Sequence, residues 1–239
     1  MKENGTTGSW IMKAPVVQAG LDRNKFSDDI RLGVSRYRDE ATNWILVNTG
    51  PAKRPYPEYP AHGAVVAIQN EDLIHDWRKT GATVVNVSAA MATVPFPSVR
   101  MDNARIGAMA AEHFLERQFE HFAYVGFLDA RHAVDREASF RVRLEEEGKR
   151  YYPYPGCHQK MPQFFRGLNG TAFRRWLEKL PKPCALFCNE DGIGMTAVSR
   201  LLEAEIDVPA QVAVLGVNNE EIACSFSLLI SNIVDSVMC

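Results

Sequence analysis

Residues 184–217, CALFCNEDGIGMTAVSRLLEAEIDVPAQVAVLGV, decide the fold. The run Cys184–Cys188 is apolar throughout instead of alternating, the pattern of a strand buried on both faces. A polar triplet, NED, follows, then helical spacing from Gly192 to Ala204, then a second apolar run, Val212–Val217. Strand, helix and strand in that order make a βαβ unit, whose right-handed crossover implies a parallel sheet.

The same rhythm extends to both sides. Upstream, Ala14–Gly20, Trp44–Val47, Gly63–Ile68 and Thr83–Val87 read as strands, with helices over Asp28–Glu40 and Asn70–Thr80; Gly81 ends the second helix. A proline-rich loop, KRPYPEYP (Lys53–Pro60), separates the second and third strands. A short strand at Val99–Met101 leads into a long helix from Asn103 to about Arg117, with Asp102 placed to cap it and Ile106, Ala110 and Phe114 on its apolar stripe. The pattern then restarts with a strand at Phe122–Phe127, helices over Arg136–Gly148 and Thr171–Leu180, and a last strand at Ser231–Val234. The expectation is an α/β chain of two Rossmann-like lobes with parallel sheets. Its parts are a flexible leader over 1–12, a first lobe over 13–119, a second over 120–230, and a return strand to the first lobe within 231–239.

Composition limits what such a chain does. With 239 residues and 46% hydrophobic content it can bury a sizeable core. Its 27 basic and 29 acidic side chains lack the basic footprint of a self-sufficient nucleic-acid binder. Five cysteines, an odd number thinly spread, argue against a secreted disulfide framework. Cys184 and Cys188 have no second pair and no histidine pair at zinc spacing, so they read as small buried residues beside a strand. The N-terminus shows no apolar signal region and no stretch is long and apolar enough to span a bilayer, so the expected compartment is the cytoplasm.

In open parallel sheets, ligands sit beyond the carboxyl ends of the strands. Those positions here are Asp22 and Arg23, Asn70 and Glu71, Asp102 and Asn103, Asp129 to Arg136, Asn189 to Asp191, and Asn218 to Glu221. Carboxylates, amides and a guanidinium suit the hydroxyls of a sugar, because each accepts or donates in a fixed plane. Motifs of catalysis are lacking: there is no G-x-S-x-G, Walker loop, H-E-x-x-H or G-x-G-x-x-G, and none of the six histidines stands at ligand spacing with another. No metal or cofactor is expected. The carboxylates keep two readings open, since Asp102 and Asp191 either cap helices or meet a ligand, and Glu220 and Glu221 either contact it or begin a solvated turn. The tyrosines at 151, 152 and 154 either pack over the core or stand at the mouth of a cleft.

Three segments together resemble the ligand-binding domain of the lactose-repressor family, within it the regulators of xylose operons. They are VRMDNARIG (Val99–Gly107), similar to that family's D-N-x-x-x-G element; DREASFRVRL (Asp135–Leu144), similar to its arginine-bearing helix start; and Asp191–Glu221, where an acid opens a helix, VPAQVAVLGV follows and NNEE stands after the strand. The resemblance runs from about Ala14 to Val234. It implies a periplasmic-binding-protein-like fold of type I and a monosaccharide, D-xylose or another pentose, held between the lobes by Asp102, Arg136, Glu190, Asp191 and Asn218. It also implies signalling by hinge closure, a homodimer, and DNA contact through a module outside this chain. Asn218 stands where the family commonly has aspartate, and Glu190 where a neutral amide or threonine is frequent. Family members continue with a further helix and closing strands, so a sensing fragment or truncated gene product is expected. The rivals are a transport protein of the same fold and a sugar-processing enzyme using Asp102 and Glu190, which would require the two carboxyls about 5–9 Å apart with one pKa raised.

Overall fold

The structure is a computed structural model that describes residues 14–41, 43–220 and 230–233. The expected leader, Glu221, Cys224 and everything after residue 233 lie outside the described residues. The chain divides into two compact units at Arg100 and Met101.

The first unit holds β1 (Val16–Gly20), α1 (Lys25–Ala41), β2 (Ile45–Asn48), β3 (Gly63–Val66), α2 (Glu71–Thr80) and β4 (Thr83–Asn86). Its sheet runs β2-β1-β3-β4, all parallel. Asn70 caps α2 by accepting the Leu73 N–H at 3.0 Å, and Gly81 closes it in the left-handed conformation, as the sequence predicts. Leu73, Ile74 and Trp77 bury the apolar face of α2 against Ala64, Val66 and Val84. The proline-rich connection between β2 and β3 forms no helix. The buried amide of Gln18 pins it to the sheet, accepting the Tyr56 N–H at 2.7 Å and donating to the Tyr59 carbonyl at 3.1 Å. The short strand expected at Val99–Met101 does not form as a continuous run; Ser98 and Met101 are isolated bridge positions, Ser98 pairing with Asn86. Val99 donates to the Asn86 carbonyl at 2.9 Å, and Pro97, which has no N–H, stops the pairing from extending toward the N-terminus.

The second unit comprises α3 (Asn103–Leu115), β5 (His121–Val125), α4 (Arg131–Glu146), β6 (Arg150–Pro153), a 3-10 turn (Pro155–His158), α5 (Met161–Leu168), α6 (Thr171–Lys179), β7 (Cys184–Cys188), α7 (Asp191–Glu203), β8 (Val212–Val217) and β9 (Ile230–Ile233). The sheet order is β6-β5-β7-β8-β9, again parallel. Strands β5, β7 and β8 carry the core, with Phe122, Tyr124, Leu186, Phe187 and Leu215 fully enclosed.

Four expectations change. First, α3 packs on α4 within the second unit, so the division falls well ahead of the break read near residue 120. Gly107 permits this packing, since a Cβ there would lie 2.1 Å from the Arg136 carbonyl oxygen. Second, α4 begins five residues before the predicted Arg136. Its N-cap is Ala130, which offers no side-chain acceptor and so left no signal, while the Arg131–Asp135 pair at 2.7 Å supports the first turn. Third, β6 and α5 fall where the residues show no regular period. Tyr154 buries its ring against Phe173 and Trp176 while Tyr151 and Tyr152 pack at the core's edge, so the tyrosine cluster covers the core. Fourth, β9 does not return to the first lobe. It pairs parallel with β8, Ile230 opposite Val214, and extends the second sheet.

Candidate functional site

β5, β7 and β8 run parallel, so their carboxyl ends share one edge of the second sheet, and there Arg136 meets the Asn189 carbonyl and the charges of Glu190 and Asp191. This arginine lies in the second turn of α4 and is 4% exposed. Its Nε donates to Asn103 Oδ1 at 2.9 Å and its Nη1 to the Asn189 carbonyl at 2.6 Å. Asn103 is itself fixed by a bond from its Nδ2 to the Met101 carbonyl at 3.1 Å. The D-N-x-x-x-G element thus acquires a physical reading: Asp102 accepts the Arg105 N–H at 2.8 Å and caps α3, Asn103 holds Arg136, and Gly107 lets α3 approach α4.

Among the described residues, Arg136 makes no ion pair. Burial depresses its pKa to about 10, with Glu190 and Asp191 among the charges that oppose the shift. Glu190 is the N-cap residue of α7, yet its side chain makes no capping bond. Burial pushes its carboxyl up to about 7; Arg136 pulls down, and Glu220 and Asp191 push up.

Asp191, fully buried, opens α7 but does not cap it. Its Oδ2 accepts the Glu220 N–H at 2.7 Å, so of the two readings of Asp191 the capping one is replaced by a tie to the segment after β8. That tie depends on a tight reversal, with Asn218 and Asn219 both at positive φ, 100° and 52°. Burial raises Asp191 to about 6, the Glu220 N–H works against the rise, and the Glu220 carboxylate adds to it. Three buried polar atoms nearby have no hydrogen-bond partner among the described residues: Asp191 Oδ1 and both side-chain atoms of Asn189.

Of the five expected ligand residues, Arg136, Glu190 and Asp191 therefore share one electrostatic neighbourhood, joined by Glu220. Asp102 connects to it through its neighbour Asn103, and Asn218 through the turn that delivers the Glu220 N–H. Sequence reasoning passed over Asn103 and Asn189 as partners of Arg136; each stands beside a residue that it did single out. Among the described residues, no group of three or more His, Cys, Asp or Glu side chains could hold a metal ion. Cys157, Cys184 and Cys188 are free and buried.

A second polar group ends the strands of the first unit. Lys53, 5% exposed, reaches Asp22 Oδ1 at 2.6 Å and Gln69 Oε1 at 2.5 Å, and Gln69 donates to Asp22 Oδ2 at 2.9 Å. The Lys53 carbonyl accepts the Trp77 indole N–H at 2.8 Å, which anchors the loop. No helix among the described residues is long and apolar enough to cross a membrane.

The model of the periplasmic binding protein-like domain matches residues 111–234. Among curated proteins, the chain is 27% identical over 131 residues to the xylose operon regulatory protein of Escherichia coli K12, covering 54% of this chain and 33% of that protein. It is 31% identical over 122 residues to the HTH-type transcriptional regulator GntR of Pseudomonas aeruginosa, covering 51% and 35%. The matches span about a third of the length of these relatives. A periplasmic binding protein/LacI transcriptional regulator from Alkaliphilus metalliredigens, solved with D-xylulofuranose, superposes with a TM-score of 0.69 at 15% identity over 93% of this chain and 85% of that one. A xylose-binding transcription activator gives 0.71 at 19% identity, covering 88% and 56%. At these identities the solved structures speak for the fold, which is that of two parallel-sheet α/β lobes. The expected likeness to the ligand-binding domains of lactose-repressor-type regulators is borne out, and the chain belongs to the periplasmic binding protein-like domain family.

Proposed function

We propose that the chain is the sugar-sensing domain of a bacterial transcription regulator, taking a monosaccharide, D-xylose or another pentose. The observation that carries this reading is Arg136. It is buried at the ligand end of a parallel sheet, oriented by two neutral acceptors and faced by carboxylates with which it forms no ion pair. A guanidinium so held is pre-organised to donate to hydroxyls, while Glu190 and Asp191 are suited to accept from them. Asp102 and Asn218 complete the proposed set. In this reading ligand binding favours a closed arrangement of the lobes by differential affinity, and the shift passes to a DNA-binding module in a homodimeric cytoplasmic regulator. The relatives named above support the regulatory part.

The raised pKa of Glu190 meets one of the two conditions set for an enzyme. Asp102, its supposed partner, caps α3 through Oδ1, which leaves Oδ2 to accept from a sugar hydroxyl in the sensor reading. Calorimetric titration with D-xylose, other pentoses and hexoses tests the reading. Saturable binding that is lost in Arg136→Ala, with the sugar recovered unchanged, is expected. A folded chain that gives no heat with any sugar, or that turns the sugar over, overturns the proposal.

A further inference from the structure

Among the described residues, Arg136 is the one guanidinium or ammonium that acts on Glu190 and Asp191, against three carboxylates with Glu220 included. The arginine's two described hydrogen bonds go to Asn103 and Asn189, not to these acids. Asp191 Oδ1 is buried without a partner among the described residues, and the Glu190 side chain makes no capping bond. Resting on the sensor reading, we propose that this site admits an uncharged, hydroxyl-donating sugar and turns away acidic sugars, and that uptake of the neutral sugar drives a proton from the Glu190–Asp191 pair into solvent.

A buried carboxylate costs free energy unless it is paired or hydrogen-bonded, so acids that outnumber the local cation retain protons. The groups facing the pair are Arg136 from α4, Glu220 after β8, Cys188 at the end of β7 and, acting on Arg136, Tyr124 of β5. Among these described groups, only Arg136 brings positive charge. Sugar hydroxyls that donate to Glu190 and to Asp191 Oδ1 stabilise the ionised carboxylates, and the displaced proton passes to the buffer. An acidic sugar instead adds a further negative charge beside buried carboxylates, where repulsion is weakly screened.

Calorimetry on the whole chain at neutral pH, in a buffer of low ionisation enthalpy and one of high, separates the possibilities. A panel of neutral aldoses and their uronates and aldonates is titrated into wild type and Glu190→Gln, with circular dichroism to verify folding. The expected wild-type result is a heat that differs between buffers in the sense of proton release, with acidic sugars weaker than neutral ones. Glu190→Gln is expected to reduce the buffer dependence and to narrow the gap between a neutral sugar and its acid by roughly tenfold, a ratio of ratios in which differences of shape cancel. Buffer-independent heat, or an unchanged gap in the variant, overturns the inference while leaving a sugar sensor standing. An acidic sugar as the sole ligand does the same. Silence from every sugar overturns the sensor reading itself and this inference with it.

Discussion

Arg136 gives an N–H to the main-chain carbonyl of Asn189 at 2.6 Å, which ties the second turn of α4 to the end of β7. A second N–H goes to Asn103, so one side chain joins three segments distant in sequence. Replacing it leaves a buried carbonyl and a buried amide oxygen unmatched, at about 1–3 kcal/mol each. Arg136→Lys is expected to destabilise by about 2 kcal/mol, because a single ammonium cannot reproduce the fork. A double-mutant cycle with Asn103→Ala should return a coupling of roughly 1–2 kcal/mol in urea denaturation. A coupling near zero would mean that the bond seen between them contributes nothing.

Glycines at 107 and 33 both lie inside helices and should respond to alanine in opposite directions. A Cβ at Gly107 would meet the Arg136 carbonyl oxygen at 2.1 Å and Ser139 Oγ at 2.2 Å, contacts that force α3 and α4 apart. Gly107→Ala should therefore cost about 3 kcal/mol or more and disturb sugar binding through Arg136. At Gly33 nothing lies within 4 Å, so Gly33→Ala should stabilise α1 by about 0.5–1 kcal/mol. Melting curves of the two variants decide both points.

How far the sequence spoke for itself can be seen at α7 and α4. The ends of β7 and β8 were legible to the residue, because Cys184–Cys188 and Val212–Val217 are apolar throughout and polar residues follow each run. The start of α4 was not legible, because Ala130 caps by backbone alone. The site was legible as a set of polar residues at strand ends, but not as a network. That Asn103 orients Arg136, or that Asp191 grips the Glu220 N–H, depends on positive φ at 218 and 219 and on tertiary packing, neither of which leaves a period in the chain. The placement of β9 was hidden for the same reason: a four-residue strand does not state which sheet it joins.

Glu190 also makes the unliganded protein sensitive to pH. Its carboxyl stands at about 7 in the fold against an ordinary 4.5, and Asp191 at about 6 against 3.8, both through burial. A carboxyl whose folded pKa is raised binds its proton more tightly in the folded than in the unfolded chain. The stability it contributes is complete below the unfolded value and is lost as pH rises through the folded one. The window for Glu190 therefore runs from 4.5 to about 7, with stability falling across it. Glu190→Gln removes the penalty, so its melting temperature should exceed wild type at about pH 8, by roughly 2–4 °C for each kcal/mol regained, and converge with it near pH 4. A constant difference across that range would show that Glu190 does not titrate there.

The ion pair between Lys53 and Asp22 is unequal. The Lys53 side chain is 7% exposed whereas that of Asp22 is 34% exposed, so losing one partner is not equivalent to losing the other. Asp22→Ala strands a buried ammonium with Gln69 Oε1 as its remaining described side-chain acceptor and should cost about 2–3 kcal/mol. Lys53→Met keeps the volume of the stem, preserves the carbonyl that accepts the Trp77 N–H, and leaves Asp22 free to hydrate. It should cost about 1 kcal/mol or less. Urea midpoints should therefore rank wild type, then Lys53→Met, then Asp22→Ala; the reverse order of the two variants would mean that the ammonium is less confined than its burial implies.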